Sequence, residues 1–142
     1  MQQRKLMLAT GVAVASVFGI GSAAAAVVSL LPPEETQGMV TYRTGGIAQS
    51  EAAAMQQAEA HYPLALEFVE HAKPKNEFLA NVEVTIKDRL GRTALKTYSD
   101  GPFLLATLPD GKYTVTATDE GSAQTRQVTV AAGKPERLVF TW

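Results

Sequence analysis

His61 and His71 stand ten residues apart, with Glu70 beside the second. Imidazole with carboxylate is a donor set for a transition metal or for proton transfer. Spacing alone closes no site here, and surface or helix-end histidines are the simpler reading. Ser50, His61 and an aspartate make only a nominal triad, because a triad needs an oriented base and an oxyanion donor. Glu67 with Glu70, and Asp119 with Glu120, are carboxylate pairs of the type used in glycoside hydrolysis. The second pair is turn polarity, and strand alternation points Glu67 away from the core. Gly45-Gly46 lacks both G-x-G-x-x-G and a Walker lysine, so it reads as a turn or a flexible interruption. We expect no enzyme, no catalytic residue, no metal and no cofactor.

Binding chemistry suits the residues better. Tyr42, Tyr62 and Tyr98 are the ligand-binding candidates, since the other aromatics fall mostly at inward-looking strand positions. Thr41, Tyr42, Arg43 and Ile47 are the partner-binding candidates, with the adjacent helix or an edge strand that accepts another strand. The competing reading is that residues 41–47 cover a sandwich edge and complete the core. The leading expectation is a non-catalytic periplasmic accessory or protein-interaction domain; the alternative is a carbohydrate or small-ligand binding module.

The chain has 142 residues and no cysteine. Arg4 and Lys5 precede a run without charge that lasts until Glu34, with small residues at 22–26. This pattern predicts a signal peptide over residues 1–26 and a periplasmic or secreted protein. The apolar character continues through Leu31, so an uncleaved segment over 6–31 is long enough to anchor the protein in the inner membrane. Only in that case is membrane contact expected. Residues 27–142 carry 11 basic and 14 acidic side chains, a net charge of −3, which argues against nucleic acid as a partner. A periplasmic or envelope protein is the expected partner.

Residues 27–38, with Pro32-Pro33, read as a linker, and residues 39–142 as a β-sandwich domain with a helix-containing N-terminal extension. Residues 50–60 form the helix, with Ser50 as the N-cap and Ala54, Met55 and Ala58 as a narrow apolar stripe. Val82, Val84 and Ile86 alternate with polar residues, as do Tyr113, Val115 and Ala117, the mark of strands with one face on a core. Residues 103–108 and 112–118 flank the turn Pro109-Asp110-Gly111 and read as a hairpin. Seven candidate strands follow from Leu64 onward, spaced as in a two-layer sandwich.

From about Ala80 to Trp142 the chain resembles the carboxypeptidase regulatory-like domains. The resemblance rests on Val82-x-Val84-x-Ile86, the turn at 88–91, the run from Gly101 through Phe103, Leu105, Leu108-Pro109 and Gly111 to Tyr113, Val115 and Ala117, and Val128-x-Val130-x-x-Gly133. It implies an all-β fold, a seven-stranded transthyretin-like (prealbumin-like) antiparallel sandwich, with one added short helix. Gly45-Gly46, the Ala-rich helix and Tyr62-Pro63-Leu64-x-Leu66-x-Phe68 resemble small, functionally uncharacterised exported proteins of Gram-negative bacteria. That likeness implies a periplasmic address and a helix and strand that extend the core. Hydroxyisourate hydrolases share the transthyretin-like fold, but they concentrate histidines and end in a Tyr-Arg-Gly-Ser type motif. This chain has two histidines and ends Phe140-Thr141-Trp142.

Overall fold

A computed structural model describes residues 30–142. The expected signal peptide, and all but residues 30 and 31 of the alternative anchor, lie outside the described residues. Among the described residues no helix is long and apolar enough to cross a membrane.

Ten strands and one α-helix follow in order: β1 (Glu35–Gln37), β2 (Val40–Gly45), α1 (Gln49–Ala58), a 3-10 turn (Glu59–His61), β3 (Leu64–Glu70), β4 (Glu77–Phe78), β5 (Val82–Asp88), β6 (Thr93–Ser99), β7 (Phe103–Thr107), β8 (Gly111–Asp119), β9 (Ser122–Val130) and β10 (Glu136–Thr141). One sheet has the order β1-β2-β7-β3-β10, with β4 also on β3, and the other β6-β5-β8-β9. The all-β class with one short helix holds. The strand count and the purely antiparallel arrangement do not, because β10 runs parallel to β3 from Glu136↔Leu64 to Thr141↔Val69. Side-chain alternation is the same in parallel and antiparallel strands, so it carries no direction.

The residues expected to form a central hairpin join the two sheets instead. β7 pairs with β2 and β3, whereas β8 pairs with β5 and β9. The turn between them carries the chain across the sandwich, and the Tyr113 hydroxyl fixes it by donating to the Pro109 carbonyl at 2.7 Å. The β8–β9 connection is a true hairpin, with Glu120 and Gly121 both at positive φ (46° and 84°), as a two-residue type I′ turn requires.

The main core lies between the sheets and is built from inward residues such as Phe68, Val84, Ile86, Leu104, Val115 and Phe140. A second cluster of Ala52, Met55, Ala65, Phe103 and Leu105 lies beneath α1 on the outer face of the larger sheet. β3 and β7 are therefore buried on both faces. Burial on both sides matches their near-continuous apolar runs.

The helix begins one residue earlier than expected. Ala48 occupies the N-cap position without a side-chain bond, and Ser50 lies inside the first turn. Ala52 and Met55 are its buried residues and Ala58 packs beside them, while Ala54 is only half-buried. Gly45 and Gly46 let the helix sit close to the sheet, and Gly101 lets its own segment pass close to Gly45. A Cβ on Gly46 would meet the Phe103 ring at 2.5 Å, and one on Gly101 would meet the Gly45 carbonyl carbon at 2.5 Å. The Gly46 N–H donates to the Glu51 carboxylate at 2.7 Å, so the Gly-Gly pair is a fixed approach.

The stretch read as linker contains structure. β1 pairs with β2 from Glu35↔Tyr42 to Gln37↔Val40, and Leu31 packs against the cluster under the helix.

Candidate protein-interaction site

Of the residues proposed for partner contact, Tyr42 is 6% exposed and belongs to the main core. Its parity with Val40 points it between the sheets, which removes it as both a partner and a ligand candidate. Thr41 is half-buried because β2 lies between β1 and β7. Arg43 has only 17% of its side chain exposed. It donates to the Tyr62 hydroxyl (2.6 Å) and the Pro32 carbonyl (2.5 Å), and lies 3.6 Å from Glu34. Tyr62 donates in turn to Glu34 at 3.2 Å. Arg43 and Tyr62 thus join the N-terminal segment, β2 and the end of the 3-10 turn in one structural network. Ile47 is exposed, and so is Tyr98, whose phenol is pushed up in pKa by a hydrogen bond and the charge of Glu83 opposite it on β5. The three tyrosines share no face and build no carbohydrate platform.

Across the outer face of the larger sheet, Arg43, Leu105, Ala65 and Arg137 occupy one row of neighbouring strands. Arg137 pairs with Glu59 at 2.9 Å and with the buried Glu67. Two arginines therefore flank the apolar strip that α1 covers. Burial raises the Glu59 carboxyl above its ordinary pKa, against the opposing pull of Arg137.

His61 and His71 are both exposed, at opposite ends of β3. Seven strand residues span roughly 20 Å, so the pair cannot share a metal. Among the described residues no group of three or more His, Cys, Asp or Glu side chains is placed to hold a metal ion.

Exposed apolar side chains also meet at the end of the sandwich where β1–β2, β5–β6 and β7–β8 turn. These connections line a groove of about 610 Å3. Met39, 80% exposed, and Leu90, 66% exposed, both line it, with Val40, Ala94, Pro109 and Tyr113. Each protrudes for a local reason. Met39 follows Gly38 at φ +58°, and Leu90 sits in a turn held by the Asp88 carboxylate, which accepts the N–H groups of Leu90 and Arg92 at 2.9 Å each. The Arg92 N–H, with the Arg92 guanidinium and Leu90 N–H, keeps the Asp88 carboxyl below its usual pKa despite partial desolvation.

Arg92 is thereby neutralised. Arg89 and Lys112 also line the groove, and among the described residues neither has an acidic partner within ion-pair range. Lys87 joins them around an adjoining hollow of about 500 Å3. Asp110 accepts the Ala132 N–H at 3.1 Å. An exposed apolar pair beside unpaired cations, on an otherwise acidic domain, suits an acidic and apolar protein segment. None of Met39, Arg89 and Leu90 was singled out in the sequence analysis. The available signal was a large apolar residue placed at a turn, Leu90 between Arg89 and Gly91 and Met39 after Gly38.

A search of curated proteins gave no match. Among solved structures, the chain is similar to the major pilin subunit BcpA of Bacillus cereus at 16% identity, over 55% of this chain and 28% of the pilin, with a TM-score of 0.40. That likeness is too slight to bear on fold or function. The model of the carboxypeptidase regulatory-like domain matches residues 71–142. The matched half holds β4 to β10, whereas β3, which lies between β7 and β10, comes from the preceding extension. Such domains are non-catalytic regulatory modules. On this match over half of its length, the chain belongs to the carboxypeptidase regulatory-like domain family.

Proposed function

We propose that this protein is an exported, non-catalytic accessory domain that binds another envelope protein through the groove at the β1–β2, β5–β6 and β7–β8 end. The observation that carries this reading is the convergence of Met39 and Leu90, both largely exposed, on one groove. The sequence features over residues 1–31 support a periplasmic or secreted location, with anchoring in the inner membrane as the form in which that segment is kept. The bound segment carries an apolar side chain for the floor and acidic side chains for Arg89 and Lys112.

A photoreactive amino acid placed at Leu90 tests the reading in the exporting cell, with the same probe at Tyr98 on the smaller sheet as control. A discrete adduct from Leu90, absent from Tyr98 and lost on Met39→Ser in a protein that still unfolds cooperatively, supports the groove. No adduct, or the same adduct from both positions, overturns it.

A further inference from the structure

Among the described residues, the large apolar side chains left exposed are Leu30, Met39, Ile47, Phe78, Leu90 and Tyr98. Met39 and Leu90 line the groove, and Tyr98 stands apart on the smaller sheet. Leu30, Ile47 and Phe78 gather at the opposite end of the larger sheet. Met39 precedes β2 and Ile47 follows it, and a strand of that length sets its two ends about 20 Å apart.

Phe103 ties this second group together. Its ring packs edge-on against Phe78, with centroids 5.4 Å apart. The chain leading to Ile47 passes over the same ring, so closely that a Cβ on Gly46 would meet it at 2.5 Å. The segment ahead of β1 runs on beside β2 to the same corner. A Cβ on Gly45 would meet the Pro32 ring at 3.1 Å, and Leu31 packs on the cluster under α1. Leu30 therefore emerges where β2 ends and Ile47 begins the approach to the helix. α1 extends this surface without charge: its exposed residues are Gln49, Ser50, Ala53, Gln56 and Gln57. Glu51 turns inward to accept the Gly46 N–H, and Glu59, just past the helix, pairs with Arg137.

The chain that leads into this corner says what covers it. Residues 6–29 contain no charged side chain and are numerous enough to cross the hydrocarbon core of a bilayer. Leu31 already packs on the domain, so Leu30 alone separates the two. We propose, on the reading that residues 1–26 are retained as an anchor, that this corner rests on the bilayer, with Ile47 and Phe78 in its interfacial layer. So short a tether holds the domain against the membrane at the point where the chain enters it. Lys73 and Lys75 share this end with Glu70, Glu77 and Asp100. No basic cluster forms, and the contact is apolar, with no need for anionic lipid. The groove at Met39 and Leu90 then faces away from the membrane, open to a partner.

The chain has no cysteine, so a lipid-sensitive fluorophore can be placed singly through Ala48→Cys, beside Ile47, or through Ala132→Cys, whose N–H bonds Asp110 at the groove's end. Both positions are exposed. The full-length protein is purified from the exporting cell, its N-terminus is read by mass, and it is returned to phosphatidylcholine vesicles brominated in the acyl chains. Quenching is expected at position 48 and not at 132. Ile47→Ser and Phe78→Ser, each at an exposed position, should cut the quenching at 48 by about half by removing buried apolar area, while both variants still unfold cooperatively. No quenching at 48, equal quenching at both positions, or quenching at 48 that neither serine changes overturns the proposal, and does so without altering the Leu90 adduct that reports on the groove. A purified chain that has lost residues 1–26 overturns it too, by removing the anchor on which it rests.

Discussion

The side-chain amide of Gln37 on β1 pairs with the backbone of Lys96 on β6 as a strand would. Its Nε2 donates to the Lys96 carbonyl at 3.1 Å, and its Oε1 accepts the Lys96 N–H at 2.8 Å. One side chain thus joins the edges of both sheets on one side of the sandwich, as Gln124 and Trp142 join β9 and β10 on the other. Gln37→Ala should lower the unfolding free energy by about 1 kcal/mol, because water replaces part of the two exposed bonds. Urea denaturation reads this directly. Gln37→Glu keeps the acceptor and loses the donor to the Lys96 carbonyl, and should fall between the two.

Gly101 and Gly38 separate steric from conformational demand. A Cβ at Gly101 meets the backbone of Gly45, which strand pairing holds in place, whereas one at Gly38 meets nothing within 4 Å. Gly101→Ala should cost about 2–3 kcal/mol through overpacking. Gly38→Ala should cost about 1 kcal/mol, through its φ of +58° alone. Thermal or urea unfolding of the two variants checks the order, and equal losses would contradict the close approach.

Glu59 should make the fold less stable as pH rises. Its folded pKa is raised, first by burial, so it takes up more protons in the native than in the unfolded state. Its contribution is complete below the ordinary glutamate pKa and is lost as pH climbs through the raised value. Glu59→Gln should flatten that part of the stability curve, measured by denaturation from acid to neutral pH. Glu67→Gln leaves Arg137 with Glu59 alone, and should bring the Glu59 pKa down by removing a like charge.

Asp88 has the opposite sign. Its carboxyl is held low, chiefly by the Arg92 N–H, so its contribution is present above the ordinary aspartate pKa and lost as pH falls through the lowered one. Arg92→Ala removes the guanidinium and keeps the backbone donor. Carboxyl NMR titration should therefore show most of the depression surviving in that variant.

Leu90 shows why the groove was hard to see in one dimension. Its turn was legible from Asp88 and Gly91, yet the groove also needs Met39 and Pro109, which come from turns far away in the chain. Likewise, parity alone gave Tyr42 no certain side, and pairing of β2 between β1 and β7 buried it.

The amino-acid sequence by itself determined most of the longer strands, the alternation of β5 and β8, the turns at 88–91 and 109–111, the helix and the sandwich class. Each follows from local forces: period-two patterning, the φ preferences of Gly and Pro, and the helix propensity of Ala and Gln. Tertiary structure alone decided that β10 lies parallel to β3, that β7 and β8 belong to different sheets, and that α1 buries Phe103 and Leu105 on the outer face. It also decided which edges are capped and which turns meet. The physical reason is that a strand's hydrogen-bonding edges accept many partners, and the choice among them falls to the non-local packing that buries both faces together.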